Sequence, residues 1–208
     1  MHIKQVINQQ LKGSTQLQVS SNGYLQKTMQ EESVRKNCLT KYGNREQFLV
    51  IFNPNRQTDF CKDIDRCYFG TAPTLGILRT AYGENAPASW LVPQLTNLSE
   101  YCGCKEKLTA SQLSECAKII ASMFYYLKVT ELMLFFYYFK SGRYGRFYGN
   151  IDPLVITTSL RQFCNERGDI YFRHESDMRK RKIEESMQNS ISHEEYLKCK
   201  QNERTLTI

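Results

Sequence analysis

Residues 130–141, Thr-Glu-Leu-Met-Leu-Phe-Phe-Tyr-Tyr-Phe-Lys-Ser, form the most apolar stretch of the chain and limit most strongly what it can fold into. Leu132, Phe135, Phe136 and Phe139 recur at helical spacing, and Met133, Leu134, Tyr137 and Tyr138 fill the remaining faces. A helix that is apolar nearly all round has no side to offer water, so other elements must enclose it. Thr130 stands as its cap, Glu131 sits at its positive end, and Lys140 with Gly142 gives the expected stop. The pattern predicts a mainly α fold: a compact helical bundle around a central helix at 130–141.

The flanking punctuation predicts the companions. Thr109 and Gln112 have capping-box spacing, and Leu108 and Leu113 take the positions of a hydrophobic staple. A helix therefore starts at about Ala110, with Leu113, Cys116, Ala117, Ile120, Phe124 and Leu127 as its buried stripe. Lys128 and Val129 are left as a tight link, which implies antiparallel packing on the central helix. Asp152-Pro153 opens a further helix with Ile156, Leu160, Phe163 and Cys164 facing the core, up to Arg167-Gly168.

Upstream, Ala72-Pro73 begins a helix that Gly83 ends, and a second runs from about Pro87, where Pro93 is expected to kink or split it. The run Phe48-Leu49-Val50-Ile51-Phe52, closed by Asn53-Pro54, reads as the best strand candidate. Three regions follow: a polar, flexible arm over 1–47, a helical core domain over 48–172, and a charged helical tail over 173–208. The tail carries a helix from Met178 to Met187 and a capped turn at Ser192 and Glu195.

The formal charge of +7 in 208 residues raises the question of nucleic acid. It is spread along the chain: seven basic residues against three acidic over 1–47, thirteen against eleven over 48–172, and eight against seven over 173–208. No segment is a dedicated basic domain. The N-terminus has no apolar run of signal-peptide type, so a cytoplasmic, reducing setting with thiols rather than disulfides is expected. A zinc site from Cys61, Cys67, Cys102 and Cys104 lacks the usual knuckle spacing, and Asp63 with Asp65 lacks further ligands, so neither a metal nor a cofactor is expected. Lys128 and Glu131 interrupt the apolar region 119–139, which argues against a membrane span.

Only the connector after the central helix has residues beyond the needs of a link. Lys140, Arg143 and Arg146 can meet phosphates or carboxylates, while Tyr144, Phe147 and Tyr148 offer faces for stacking, and glycines at 142, 145 and 149 let a ligand approach the backbone. These six side chains are the candidate nucleic-acid or partner contacts. The competing account is structural: aromatics that plug the bundle end and arginines that pair with Asp152, Glu166 or Glu131. No catalytic motif is present, and His2, His174 and His193 stand far apart, which points away from an enzyme.

Leu75…Tyr82-Gly83-Glu84…Trp90-Leu91…Leu98-Ser99-Glu100, Lys107-Leu108-Thr109…Gln112, the run Leu127 to Phe136, Phe139 to Gly149, and Asp152 to Thr157 together make the sequence resemble an uncharacterised family found in gut anaerobes, their phages and mobile elements. The likeness spans about residues 72–168, with Pro93 departing from it. It implies a phage or mobile-element accessory protein and, by analogy of size and helical content, a replication adaptor contacting DNA or a replicative helicase. The alternative is a protein-binding module acting on a host factor without touching nucleic acid. Either way a protein partner is expected, and the sequence does not specify an oligomeric state.

Overall fold

The structure, a computed structural model, describes residues 26–102, 107–145 and 152–188. The described residues are mainly helical, with no strand and one isolated antiparallel bridge between Thr74 and Lys128. The chain divides into two compact units, residues 1–161 and 162–208. The division falls inside the last helix rather than after Phe172.

In the first unit, α1 covers residues 26–42, part of the stretch expected to be a flexible arm. Its last turns are held in place: Cys38 is buried, and the Tyr42 ring lies 5.5 Å from that of Phe52. Gly43, at φ +74°, ends it by donating its N–H to the Leu39 carbonyl. The expected strand at 48–52 is instead helical, in α2, Arg45–Ile51. Asn44 and Gln47 form a capping box at its start. Phe48 and Phe52, four residues apart, are buried with rings 4.8 Å apart, while Val50 is 68% exposed. A short apolar run fits either periodicity, and here the cap upstream decided the outcome.

A 3-10 turn, Pro54–Arg56, and two short helices follow, α3 at Gln57–Phe60 and α4 at Ile64–Phe69. Helix α5 is Leu75–Tyr82, capped by Thr74 rather than opened by Pro73, whose carbonyl accepts the Val129 N–H. Helix α6, Ala86–Tyr101, runs unbroken through Pro93. Pro93 is on the exposed side, so the hydrogen bond its missing amide would have made is lost where water can replace it.

Helix α7, Ala110–Met123, begins with the expected capping box, Thr109 Oγ1 accepting the Gln112 N–H and Gln112 Oε1 the Thr109 N–H. Its whole expected stripe is buried. Helix α8 is Val129–Lys140, and Val129 through Phe136 together with Phe139 are buried on every face. At roughly 1.5–3 kcal/mol for each large apolar side chain, this helix is the main stabilising block of the unit.

The two helices are not the antiparallel neighbours that a two-residue link implied. Phe124 to Lys128 turn away, and this turn is fastened to the segment before α5: Leu75 N–H donates to the Leu127 carbonyl and Gly76 N–H to that of Tyr125. Accordingly α7 packs chiefly on α6, and α8 on α3, α4 and α6. Nor is Thr130 the cap of α8, since its hydroxyl donates to the Cys67 carbonyl at 2.8 Å. The buried Glu131 carboxylate does that work by accepting the Lys128 N–H at 2.8 Å. Lys128 in turn extends its ammonium to the carbonyls of Tyr68 and Gly70, tying α8 to the end of α4.

The last helix, α9, is Pro153–Gln188, and Asp152 caps it by accepting the Leu154 N–H. It is one helix where two were expected. Gly168 does not stop it; no described atom lies within 4 Å of where a side chain would begin, so the residue costs only helix propensity. Ile156, Leu160 and Phe163 are buried, as their spacing required, while Cys164, expected on the same stripe, is half-buried. The capped turn expected at Ser192 and Glu195 lies outside the described residues.

Candidate functional sites: the connector and a basic recess

The connector begins with a tightly specified helix end. Gly142, at φ +80°, donates its N–H to the Phe139 carbonyl, and Arg143 donates its own to that of Tyr138. This is the Schellman arrangement, which needs a left-handed residue where glycine stands. The hydrophobic contact that usually accompanies it is replaced by a cation over a ring: the Arg143 guanidinium sits 4.4 Å from the Tyr138 centroid. Burial pushes the Tyr138 phenol above its ordinary value, while Arg143 pulls it back in part.

Of the six candidate contacts, the structure places three. Arg143 is exposed. Tyr144 is half-buried against the rings of Phe135 at 5.7 Å and Phe139 at 6.4 Å, so it plugs the end of the core. Lys140 belongs to an internal polar network: its ammonium donates to Gln57 Oε1 at 2.7 Å and to Asn97 Oδ1, and lies 5.4 Å from the Tyr101 ring. Gln57 passes the chain of bonds to Gln94, which with Trp90 donates to the Phe52 carbonyl. Desolvation lowers the Lys140 pKa. Arg146, Phe147 and Tyr148 lie outside the described residues.

A second feature had no counterpart in the sequence reading. A recess of about 260 Å³ opens where α1, the 3-10 turn, α3 and α4 meet the start of α8. Its wall is aromatic: Phe52 and Phe60 stack with centroids 5.5 Å apart and planes 18° apart, and Tyr42 adjoins Phe52. Lys41, Arg56 and Arg66 stand around it, each from a different element and each exposed. Because those residues are scattered over 26 positions of sequence and share no periodicity, no motif marks them. The nearest signal was the segment Asp59 to Cys67, which reads as a solvated face.

Two carboxylates also line the recess: Asp59 is paired with cations, while Asp63 accepts a backbone N–H and keeps its charge. Asp59 lies 3.7 Å from Arg56 and 3.3 Å from Lys62, and Asp63 caps α4 by accepting the Arg66 N–H at 2.9 Å. Neither Lys41 nor the Arg66 guanidinium has a carboxylate within 4.0 Å among the described residues; Lys41 contacts the Thr71 hydroxyl and lies 5.3 Å from the Tyr42 ring. Cys67 lines the recess with its thiol donating to the Phe60 carbonyl at 3.0 Å. Burial first, then the charge of Asp63, pushes that thiol up to about 12, so it remains neutral near pH 7 and is a poor nucleophile.

Among the described residues, no group of three His, Cys, Asp or Glu side chains could hold a metal ion. Cys61, Cys67 and Cys102 are thiols rather than members of a disulfide, and Cys104 lies outside the described residues. No described helix is long and apolar enough to cross a membrane.

A family model described as a family of unknown function (DUF6633) matches residues 107–205. The matched stretch takes in α7, α8, the connector and α9, and excludes Lys41, Arg56 and Arg66. No curated protein and no solved structure matches the chain. Over its C-terminal half, then, the chain is similar to a family whose function is not defined.

Proposed function

We propose that the chain is a non-enzymatic accessory protein of a phage or mobile element, working in the cytoplasm and contacting single-stranded DNA or a replicative helicase through the connector after α8. The observation behind this reading is the exposed Arg143 guanidinium laid over Tyr138 at a rigidly terminated helix end. A flat cation fixed beside a ring suits both a phosphate and a stacked base. Lys140 and Tyr144 support that end from within, and Arg146, Phe147 and Tyr148 extend the same composition along the chain.

Fluorescence anisotropy with a labelled oligothymidylate tests the DNA contact. Affinity is expected to fall as salt rises, and the double variant Arg143→Ala, Arg146→Ala to lose about tenfold or more at low salt. Salt-independent binding, or equal binding by both proteins, removes the DNA contact.

A second reading, a module that binds a host protein without nucleic acid, draws support from the end of α7. There Ile119, Met123, Tyr125 and Tyr126 are 46%, 49%, 58% and 41% exposed. Aromatic and methionine side chains at a surface favour protein contacts. Capture of helicase or primase components from host lysate favours the first reading, and capture of unrelated host factors the second.

A further inference from the structure

The recess between α1 and α4 shares no lining residue with the connector, and the chemistry of its rim and wall narrows what it would accept. We propose that it binds a small anion carried on a single planar ring, the chemical class that includes phenyl phosphate and the nucleoside monophosphates. Lys41 and Arg66 supply positive charge not neutralised by a carboxylate within 4.0 Å among the described residues, whereas Arg56 is held by Asp59. A guanidinium and an ammonium on separate elements can meet different oxygens of one phosphate.

The apolar half of the ligand follows from the wall. Phe60 and Tyr42 are partly exposed at the recess, each beside the buried Phe52 ring, and the Arg56 guanidinium lies 5.8 Å from the Phe60 centroid. An aromatic ring set against them gains stacking beyond simple burial. The volume of about 260 Å³ lies just under the range typical of drug-sized ligands, which favours one ring and its anionic group over a dinucleotide or a polymer. The polar groups deeper in the recess do not compete: the Thr130 hydroxyl is committed to the Cys67 carbonyl and the Cys67 thiol to that of Phe60. Binding is therefore by charge at the rim and by ring contact at the wall, with no bond made or broken.

Isothermal titration of the full chain with phenyl phosphate, uridine monophosphate, inorganic phosphate and uridine tests each part. Both ring-bearing phosphates are expected to bind in the millimolar range or tighter, with inorganic phosphate and uridine each about tenfold weaker or worse. Uridine monophosphate exceeding phenyl phosphate identifies a nucleotide site, and equal affinities identify a site for ring and phosphate alone; both outcomes support the proposal. Lys41→Gln with Arg66→Gln, two exposed positions whose replacement leaves the core intact, is expected to weaken both ligands about tenfold or more, and Phe60→Leu to reduce the preference for them over inorganic phosphate. No binding of either ring-bearing phosphate at about 10 mM, undiminished binding by the double variant with unchanged circular dichroism, or inorganic phosphate binding as well as phenyl phosphate each overturns it. Because the connector is untouched in these variants, their DNA binding reports on the accessory reading separately.

Discussion

Helix α8 and the part of α9 beyond Arg161 are both regular helices, and they are held for opposite reasons. Twelve residues of α8 include nine that are buried, on every side, and it has few polar groups to satisfy except at its ends. Residues 162–188 hold six basic and six acidic side chains, and Phe172, Met178, Ile183 and Met187 are all well exposed. Beyond the buried Phe163 at its start, that stretch draws on propensity and on surface pairs such as Arg179 with Glu175 at 3.7 Å and Lys180 with Asp177 at 4.0 Å, worth only tenths of a kcal/mol each. The comparison teaches that helix formation and contribution to stability are separate properties. Burial supplies the second.

The largest expected effect breaks the comparison at its strongest point. Phe135 is fully buried and lies 5.3 Å from Phe136, 5.8 Å from Phe139 and 5.7 Å from Tyr144 between ring centroids. Phe135→Ala should cost about 3–5 kcal/mol, by lost transfer energy plus the void left behind. Phe172, 75% exposed, should tolerate the same change within about 0.5 kcal/mol. Urea denaturation of both variants measures the gap. Similar losses at the two positions would mean that α9 is covered in solution by something beyond the described chain.

The buried helices should also set an alkaline limit to stability. Burial pushes the Cys116 thiol on α7 up to about 11, and Cys67 stands at about 12, both against an ordinary 9.0. Between the ordinary and the raised value the folded chain retains protons that the unfolded chain has released, so stability is fully present below pH 9 and is lost as pH rises toward 11 and beyond. Lys140 acts in the other direction: its lowered pKa means that burial penalises the charged form, a penalty relieved as pH rises toward 10.5, and partial exposure keeps it small. Cys116→Ala should therefore make the alkaline decline shallower by up to one proton, about 1.4 kcal/mol per pH unit, even though it lowers stability at neutral pH. An unchanged slope in denaturation curves from pH 8 to about 10.5 would show that the thiol titrates alike in both states.

How much of this was legible depended on how local the cause was. The Thr109 and Gln112 box, the Gly142 stop, the Asp152 cap and the burial of Thr130 to Phe136 and Phe139 are settled by neighbours within a few positions, and each stands where the sequence puts it. Phe48 to Phe52 misled because five apolar residues carry no clear period, and Asn44 with Gln47 upstream was the informative signal. The direction of α8 relative to α7 depended on hydrogen bonds from Leu75 and Gly76, some fifty residues away, to the turn between them. The recess is the extreme case: Lys41, Arg56 and Arg66 acquire a common purpose only after three elements have packed. In the connector, composition stood out, yet composition could not say that Lys140 would turn inward to Gln57 while Arg143 stayed outside.

Glycine gives the smallest and most discriminating test. Gly142, two residues after Lys140, and Gly168, directly after Arg167, both read in sequence as helix ends, but their backbones differ: Gly142 has φ +80°, whereas Gly168 lies within an uninterrupted helix. An added methyl meets no described atom within 4 Å at either position, so contacts cannot separate them and only backbone conformation can. Gly168→Ala should raise stability in α9 by about 0.5–1 kcal/mol, since alanine loses less freedom on entering a helix. Gly142→Ala should cost about 1 kcal/mol, because an L side chain resists the left-handed region that the Schellman end requires. Amide exchange resolves both locally, with slower exchange around position 168 in the first variant and faster exchange near Phe139 to Arg143 in the second. Faster exchange around 168 in Gly168→Ala would mean that the glycine, like its counterpart, serves a bend, and α9 would then be two helices after all.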